Sequence, residues 1–157
     1  MPTYQLSVSR RIPAAPERCY SIIADYRRGH PHILPERFFT GLEVERGGVG
    51  AGTVIRFGVT LFGRVQHFRA EIAEPHPGRE LTETNLGTGE VTTFLVEPAE
   101  AGCEVTISTV APRPAGVAGW LQGWLSARFL SGVYRLELER LEAAAANAAV
   151  KPARRAC

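Results

Sequence analysis

Leu81, Glu83 and Asn85 occupy alternate positions of one short extended run, and a strand that turns Leu81 inward turns a carboxyl and an amide inward with it. An ionised carboxylate without a partner in an apolar interior costs several kcal/mol, so Glu83 then needs a partner, a solvated cavity or a proton. Glu83 and Asn85 are thereby the candidates for polar contacts to a ligand, and a positioned Glu83, Tyr134 or entrance His30 is a candidate for moving a proton. The alternative is a run at a twisted or bulged sheet edge, with Glu83 facing water. Tyr134 offers a hydroxyl from a distant segment. His30 and His32 have a spacing that can bind metal, but no acidic or Cys ligand stands nearby, and a capping or entrance-loop role fits them better. No metal site and no cofactor are expected. A Gly-x-Ser-x-Gly elbow is absent, and the glycines of 47–52 join two strands without leading into a helix, so they make a hairpin turn and not a phosphate loop.

The wall opposite Glu83 is expected from the last third of the chain. Val117, Trp120, Trp124, Ala127, Ser131, Tyr134, Leu138 and Leu141 recur at three- and four-residue steps, which predicts one face of a long helix. That face is bulky at its ends and small at Ala127 and Ser131. Small residues in the middle leave volume beneath the helix, or else they let a sheet approach closely. Trp120 and Trp124, one turn apart, are expected to form an aromatic lid. After Leu141 the helix is expected to extend by propensity through 143–149 without an apolar stripe to bury.

The elements that position these groups follow from periodicity and punctuation. Tyr4, Leu6 and Val8 alternate with polar neighbours in a first strand, Pro13 ends it, and Pro16 opens a helix lined by Cys19, Tyr20, Ile23 and Tyr26. A short second helical turn is expected over 32–37. Six strands then follow, at about 39–45, 52–61, 64–74, 80–86, 90–97 and 104–111, each pair separated by glycine- or proline-rich turns such as Phe62-Gly63. Short links between consecutive strands require an antiparallel meander. Parity turns Ile55, Phe57, Val59 and Leu61 inward, with Phe68, Ala70 and Ile72, and leaves His67 and Arg69 in solvent.

At 157 residues the chain suits one domain, and 45% hydrophobic with 22% charged residues is an ordinary globular composition. The net charge of +2 comes from intermixed Arg and Glu, with no basic stripe of the kind that binds nucleic acid. No run is long and apolar enough for a signal peptide or a transmembrane segment, so a cytoplasmic location is expected. Cys19, Cys103 and Cys157 stand at unrelated spacings and form neither a disulfide framework nor a zinc site.

The element order resembles the START-like helix-grip superfamily (SRPBCC), of the polyketide cyclase/dehydrase and lipid-transport type. Its local marks are Ala15-Pro16-Glu17 after the first strand, Asp25-Tyr26 at the exit of the first helix, the turn at Gly50 to Thr53, Glu74 to Arg79, and Phe94 to Pro98. The resemblance implies an α+β helix-grip fold: a seven-stranded antiparallel sheet curved around a long C-terminal helix, with two short helices between strands 1 and 2. One domain over 1–147 and a disordered tail over 148–157 are expected. No catalytic set carries over from the family.

The expected function is binding, as a carrier or sensor, of a small to medium hydrophobic molecule between sheet and helix. Phe57, Val59, Phe68, Phe94, Trp120 and Trp124 are the expected walls, with Tyr26, Ala127 and Ser131 beside them. Glu83, Asn85 and Tyr134 orient the polar end. The alternatives are a polyketide cyclase or dehydratase working in the same cavity and a partner-binding module with a filled interior. The entrance lies either at the Trp120 end or near His30.

Overall fold

A computed structural model describes residues 1–149. The chain forms β1 (Thr3–Ile12), α1 (Pro16–Ala24), α2 (His30–Ile33), β2 (Phe39–Arg46), β3 (Val54–Leu61), β4 (Arg64–His76), β5 (Glu80–Asn85), β6 (Val91–Ala99), β7 (Gly102–Pro112) and α3 (Gly116–Ala149). All seven strands join one sheet in the order β1-β7-β6-β5-β4-β3-β2, and every pairing is antiparallel. The second short helix begins at His30, two residues before the expected turn, because Asp25 closes α1 early. Its Oδ1 accepts from the backbone N–H of Arg27 and of Arg28, both at 3.0 Å.

Strands β2 to β7 form a meander, so β1 alone pairs out of sequence order, beside β7. The link from β1 to β2 therefore runs from one sheet edge to the other, and it carries α1 and α2, which pack on α3. That packing fixes where the dense core lies. Ile23 and Ile33 from the short helices and Tyr26 from the link between them meet Leu81, Val96 and Val105 from the sheet and Leu138 and Leu141 from α3, all essentially buried. Ala145 is buried as well, so the last turns of α3 do cover an apolar stripe, contrary to the expectation from their alanine-rich composition. The helix continues to Ala149, and the remainder of the expected tail lies outside the described residues.

Cys19 on α1 and Cys103 on β7 are buried free thiols with their Sγ atoms 3.5 Å apart, and burial pushes the Cys19 thiol up to about 12. Cys157 lies outside the described residues. Among the described residues no cluster of metal-ligating side chains forms, and no helix is long and apolar enough to cross a membrane.

Candidate functional site

Between the sheet and the N-terminal half of α3 lies a cavity of about 690 Å³. The inward parity of β3 and β4 puts Ile55, Phe57, Val59, Phe68 and Ala70 on its wall, and Phe94 on β6 joins them. The Phe57 and Phe68 rings face each other across the β3–β4 pair with centroids 5.7 Å apart, so this wall is aromatic and continuous. A filled interior, one of the alternatives weighed from the sequence, is not what the fold encloses.

The helix presents a different face from the expected one. Leu121, Gln122, Leu125, Ser126, Phe129, Leu130, Val133 and Tyr134 line the cavity, whereas Trp120, Trp124, Ala127 and Ser131 do not. Trp120 is 58% exposed and Trp124 is 48% exposed, with the Arg128 guanidinium stacked over the Trp124 ring. Close packing at two glycines sets this rotation. A Cβ at Gly119 would fall 1.8 Å from the Pro114 carbonyl oxygen, and one at Gly123 would fall 3.2 Å from Cβ of Tyr4, so this flank of α3 lies directly on β1 and on the link before the helix. Ala127 and Ser131 continue the Gly123 flank by four-residue steps, and Ser131 Oγ is occupied by the Ala127 carbonyl at 2.7 Å. Their small size serves the approach of helix to sheet, the second of the two readings open from the sequence.

Leu121 and Leu125 line the cavity and are also exposed, at 48% and 43%, so its mouth lies under the first turns of α3. Phe62, in the positive-φ position of the β3–β4 hairpin, stands at the same end, with its ring 6.2 Å from that of Phe129. The mouth is thus at the Trp120 end, and His30 belongs to the closed end.

The closed end is polar. Glu83 and Asn85 both face the cavity, as the parity of Leu81 requires. Tyr26, buried behind the lining, donates its hydroxyl to Glu83 Oε1 at 2.5 Å and so holds the carboxylate in place without facing the cavity itself. His30 is 2% exposed and is neither a cap nor an entrance residue. Its Nδ1 lies 2.8 Å from the Ile23 carbonyl oxygen, which can only accept, so Nδ1 carries a hydrogen. Nε2 then points at Glu83 Oε1, 3.6 Å away, while the ring stacks on Tyr26 and meets Phe94 edge-on. Asn85 spends its amide oxygen on the backbone N–H groups of Gly87 and Thr88, at 2.8 and 3.2 Å. The Tyr134 hydroxyl lies 2.5 Å from Thr109 Oγ1, which is 2.9 Å from Thr92 Oγ1, a hydroxyl chain across β6 and β7.

Two carboxyls of the cavity were not anticipated. Glu137, on α3, is 2% exposed and makes no hydrogen bond among the described residues; burial first, and then the Glu83 carboxylate, push its pKa well above the usual carboxyl value. Glu90 is shifted the same way by the same two causes. A signal for Glu137 existed, since it falls between Tyr134 and Leu138 on the stripe that marks the inward face. Among the described residues the lining holds no Arg and no Lys.

Solved structures share this architecture. The KanY protein is 26% identical, with 90% of this chain and 97% of that one aligned at a TM-score of 0.79. A Thermus thermophilus protein is 20% identical over 92% of this chain and 98% of its own, with a TM-score of 0.76. The di-domain ARO/CYC StfQ, from the steffimycin biosynthetic pathway, is 17% identical over 94% of this chain and 52% of its own, with a TM-score of 0.74. No curated protein matches the sequence. The family model described as polyketide cyclase / dehydrase and lipid transport matches residues 3–146, and on that match the chain belongs to this family within the START-like helix-grip superfamily.

Proposed function

We propose that the protein binds a small to medium hydrophobic molecule in the cavity between sheet and α3, as a carrier or sensor. The observation that carries this reading is a space of about 690 Å³ with aromatic and aliphatic walls that narrows to a few polar groups at one end. Such volumes and linings are typical of small-molecule sites, roughly 300–1,000 Å³. The apolar body lies against Phe57, Val59, Phe68 and Phe94, and the polar end reaches Glu83, Asn85 and Tyr134. Native mass spectrometry of the purified protein, followed by solvent extraction, tests this. A lipophilic compound bound one to one is expected, and an empty cavity that takes nothing from a hydrophobic library counts against the proposal.

A second reading, a cyclase or dehydratase of the polyketide type, is favoured by the unlike surroundings of two carboxyls. Glu83 accepts a hydrogen bond from Tyr26 and faces Nε2 of His30, whereas burial and then the Glu83 carboxylate push the pKa of Glu137 well above the usual carboxyl value. Groups so separated can act as base and acid on one substrate. Under this reading Glu83→Gln abolishes turnover while binding persists, and full retained activity removes Glu83 from the mechanism.

A further inference from the structure

The polar groups of the cavity have a charge bias that the family fold does not require. Glu83 from β5, Glu90 just before β6 and Glu137 from α3 all line one largely apolar space, and among the described residues no Arg or Lys lines it. Of the 18 Lys and Arg, Lys151, Arg154 and Arg155 lie outside the described residues, and none of the described arginines lines this space. Arg10 is paired with Glu142, Arg56 with Glu43, and Arg69 with Glu45, all at exposed positions. Within the cavity the carboxyls do not satisfy one another. Glu137 is 2% exposed, lines the cavity and has no hydrogen-bond partner among the described residues.

We propose that the cavity selects a hydrophobic molecule bearing a basic nitrogen, and that its ammonium group lies between Glu83 and Glu137. This rests on the hydrophobic-cavity reading above and adds the charge of the occupant. An ammonium has three donors and no acceptor, which suits carboxylate oxygens that lack partners. A carboxylate or phosphate headgroup would face three acidic side chains and, among the described residues, no Arg or Lys. The walls supply the rest of the discrimination, since Phe57 and Phe68 offer π faces for the body of an aromatic amine.

Binding is coupled to a proton. Glu137 interacts electrostatically with Glu83 from β5, Tyr26 at the exit of α1 and Tyr134 on its own helix, and His30 and Glu90 line the same cavity. Burial first, and then the Glu83 carboxylate, raise the Glu137 pKa and so favour its protonated form. An arriving ammonium reverses that balance: the Glu137 O–H bond breaks, the proton leaves to solvent, and the carboxylate pairs with the ligand's N–H.

The test uses three molecules of one shape, 2-naphthylmethylamine, 2-naphthylmethanol and 2-naphthoate, titrated calorimetrically into the full-length protein at pH 7. The amine is expected to bind at least about tenfold more tightly than the alcohol, with the carboxylate weakest. Titrations of the amine in two buffers of different ionisation enthalpy are expected to report net proton release. In Glu137→Gln the advantage of amine over alcohol is expected to shrink about tenfold and the proton release to disappear. Equal affinities, or a carboxylate that binds best, overturn the charge assignment and leave the hydrophobic cavity standing. Failure of all three to bind overturns both.

Discussion

Tyr26, at the exit of α1, donates its hydroxyl to the Glu83 carboxylate on β5 at 2.5 Å, joining the helical cap of the cavity to the middle of the sheet. Both side chains are largely withdrawn from water, so the bond is worth more than its surface equivalent and its loss strands an acceptor. Tyr26→Phe keeps the ring stacked on His30 and removes only the hydroxyl. A loss of about 1–3 kcal/mol in urea unfolding is expected, with an unchanged denaturant dependence. A change below a few tenths of a kcal/mol would show that Glu83 is satisfied by other means.

Glu137 predicts a pH dependence of stability with a definite sign. Its folded-state pKa is raised above the ordinary value of 4.5, so the neutral group is tolerated at acid pH and ionisation opposes folding above it. The stabilisation is complete below 4.5 and is lost as pH rises from there through the folded-state value. Glu137→Gln removes this loss. The variant should match the parent near pH 4 and gain on it with rising pH, at a limiting slope of about 1.4 kcal/mol per pH unit. Glu90 is present in both proteins and cancels. Thermal unfolding across pH 4–8 measures it, and a difference that does not vary with pH contradicts the assignment.

Two glycines of α3 should respond to alanine in opposite directions. Alanine is favoured over glycine inside a helix by about 1 kcal/mol. Gly132 has open space where a Cβ would stand, so Gly132→Ala should stabilise by close to that amount. At Gly119 the new carbon would lie 1.8 Å from the Pro114 carbonyl oxygen, so Gly119→Ala should destabilise by more than about 1 kcal/mol despite the propensity gain. Chemical denaturation of both variants decides it; two changes of the same sign would show that the seating of α3 is not set at Gly119.

These glycines also explain where the sequence was readable. Alternation in β3 and β4 identified the inward residues correctly, because Ile55, Phe57 and Val59 have polar neighbours at Arg56 and Thr60 and each strand is closed by an explicit turn. The first half of α3 offers no such contrast. Val117, Trp120, Leu121, Trp124 and Leu125 make it apolar on several sides, and periodicity alone does not say which side is covered. Contacts of Gly119 and Gly123 with Pro114 and Tyr4 make that choice, and they are long-range or lie in the link before the helix. His30 was misplaced for a related reason: its burial depends on Glu83, Tyr26 and Phe94, brought together only by the folded sheet.

If the space under α3 takes a hydrophobic guest, filling it with a larger side chain should abolish that binding. Leu130 lines the cavity, while Trp120 points away from it, so Leu130→Trp occupies the space and Trp120→Ala leaves it unchanged. Titration with the neutral dye Nile red, followed by fluorescence, should show saturable one-to-one binding to the parent and to Trp120→Ala, with at least about a tenfold loss in Leu130→Trp. Absence of saturable binding to the parent, or equal binding to the parent and Leu130→Trp, would contradict the account.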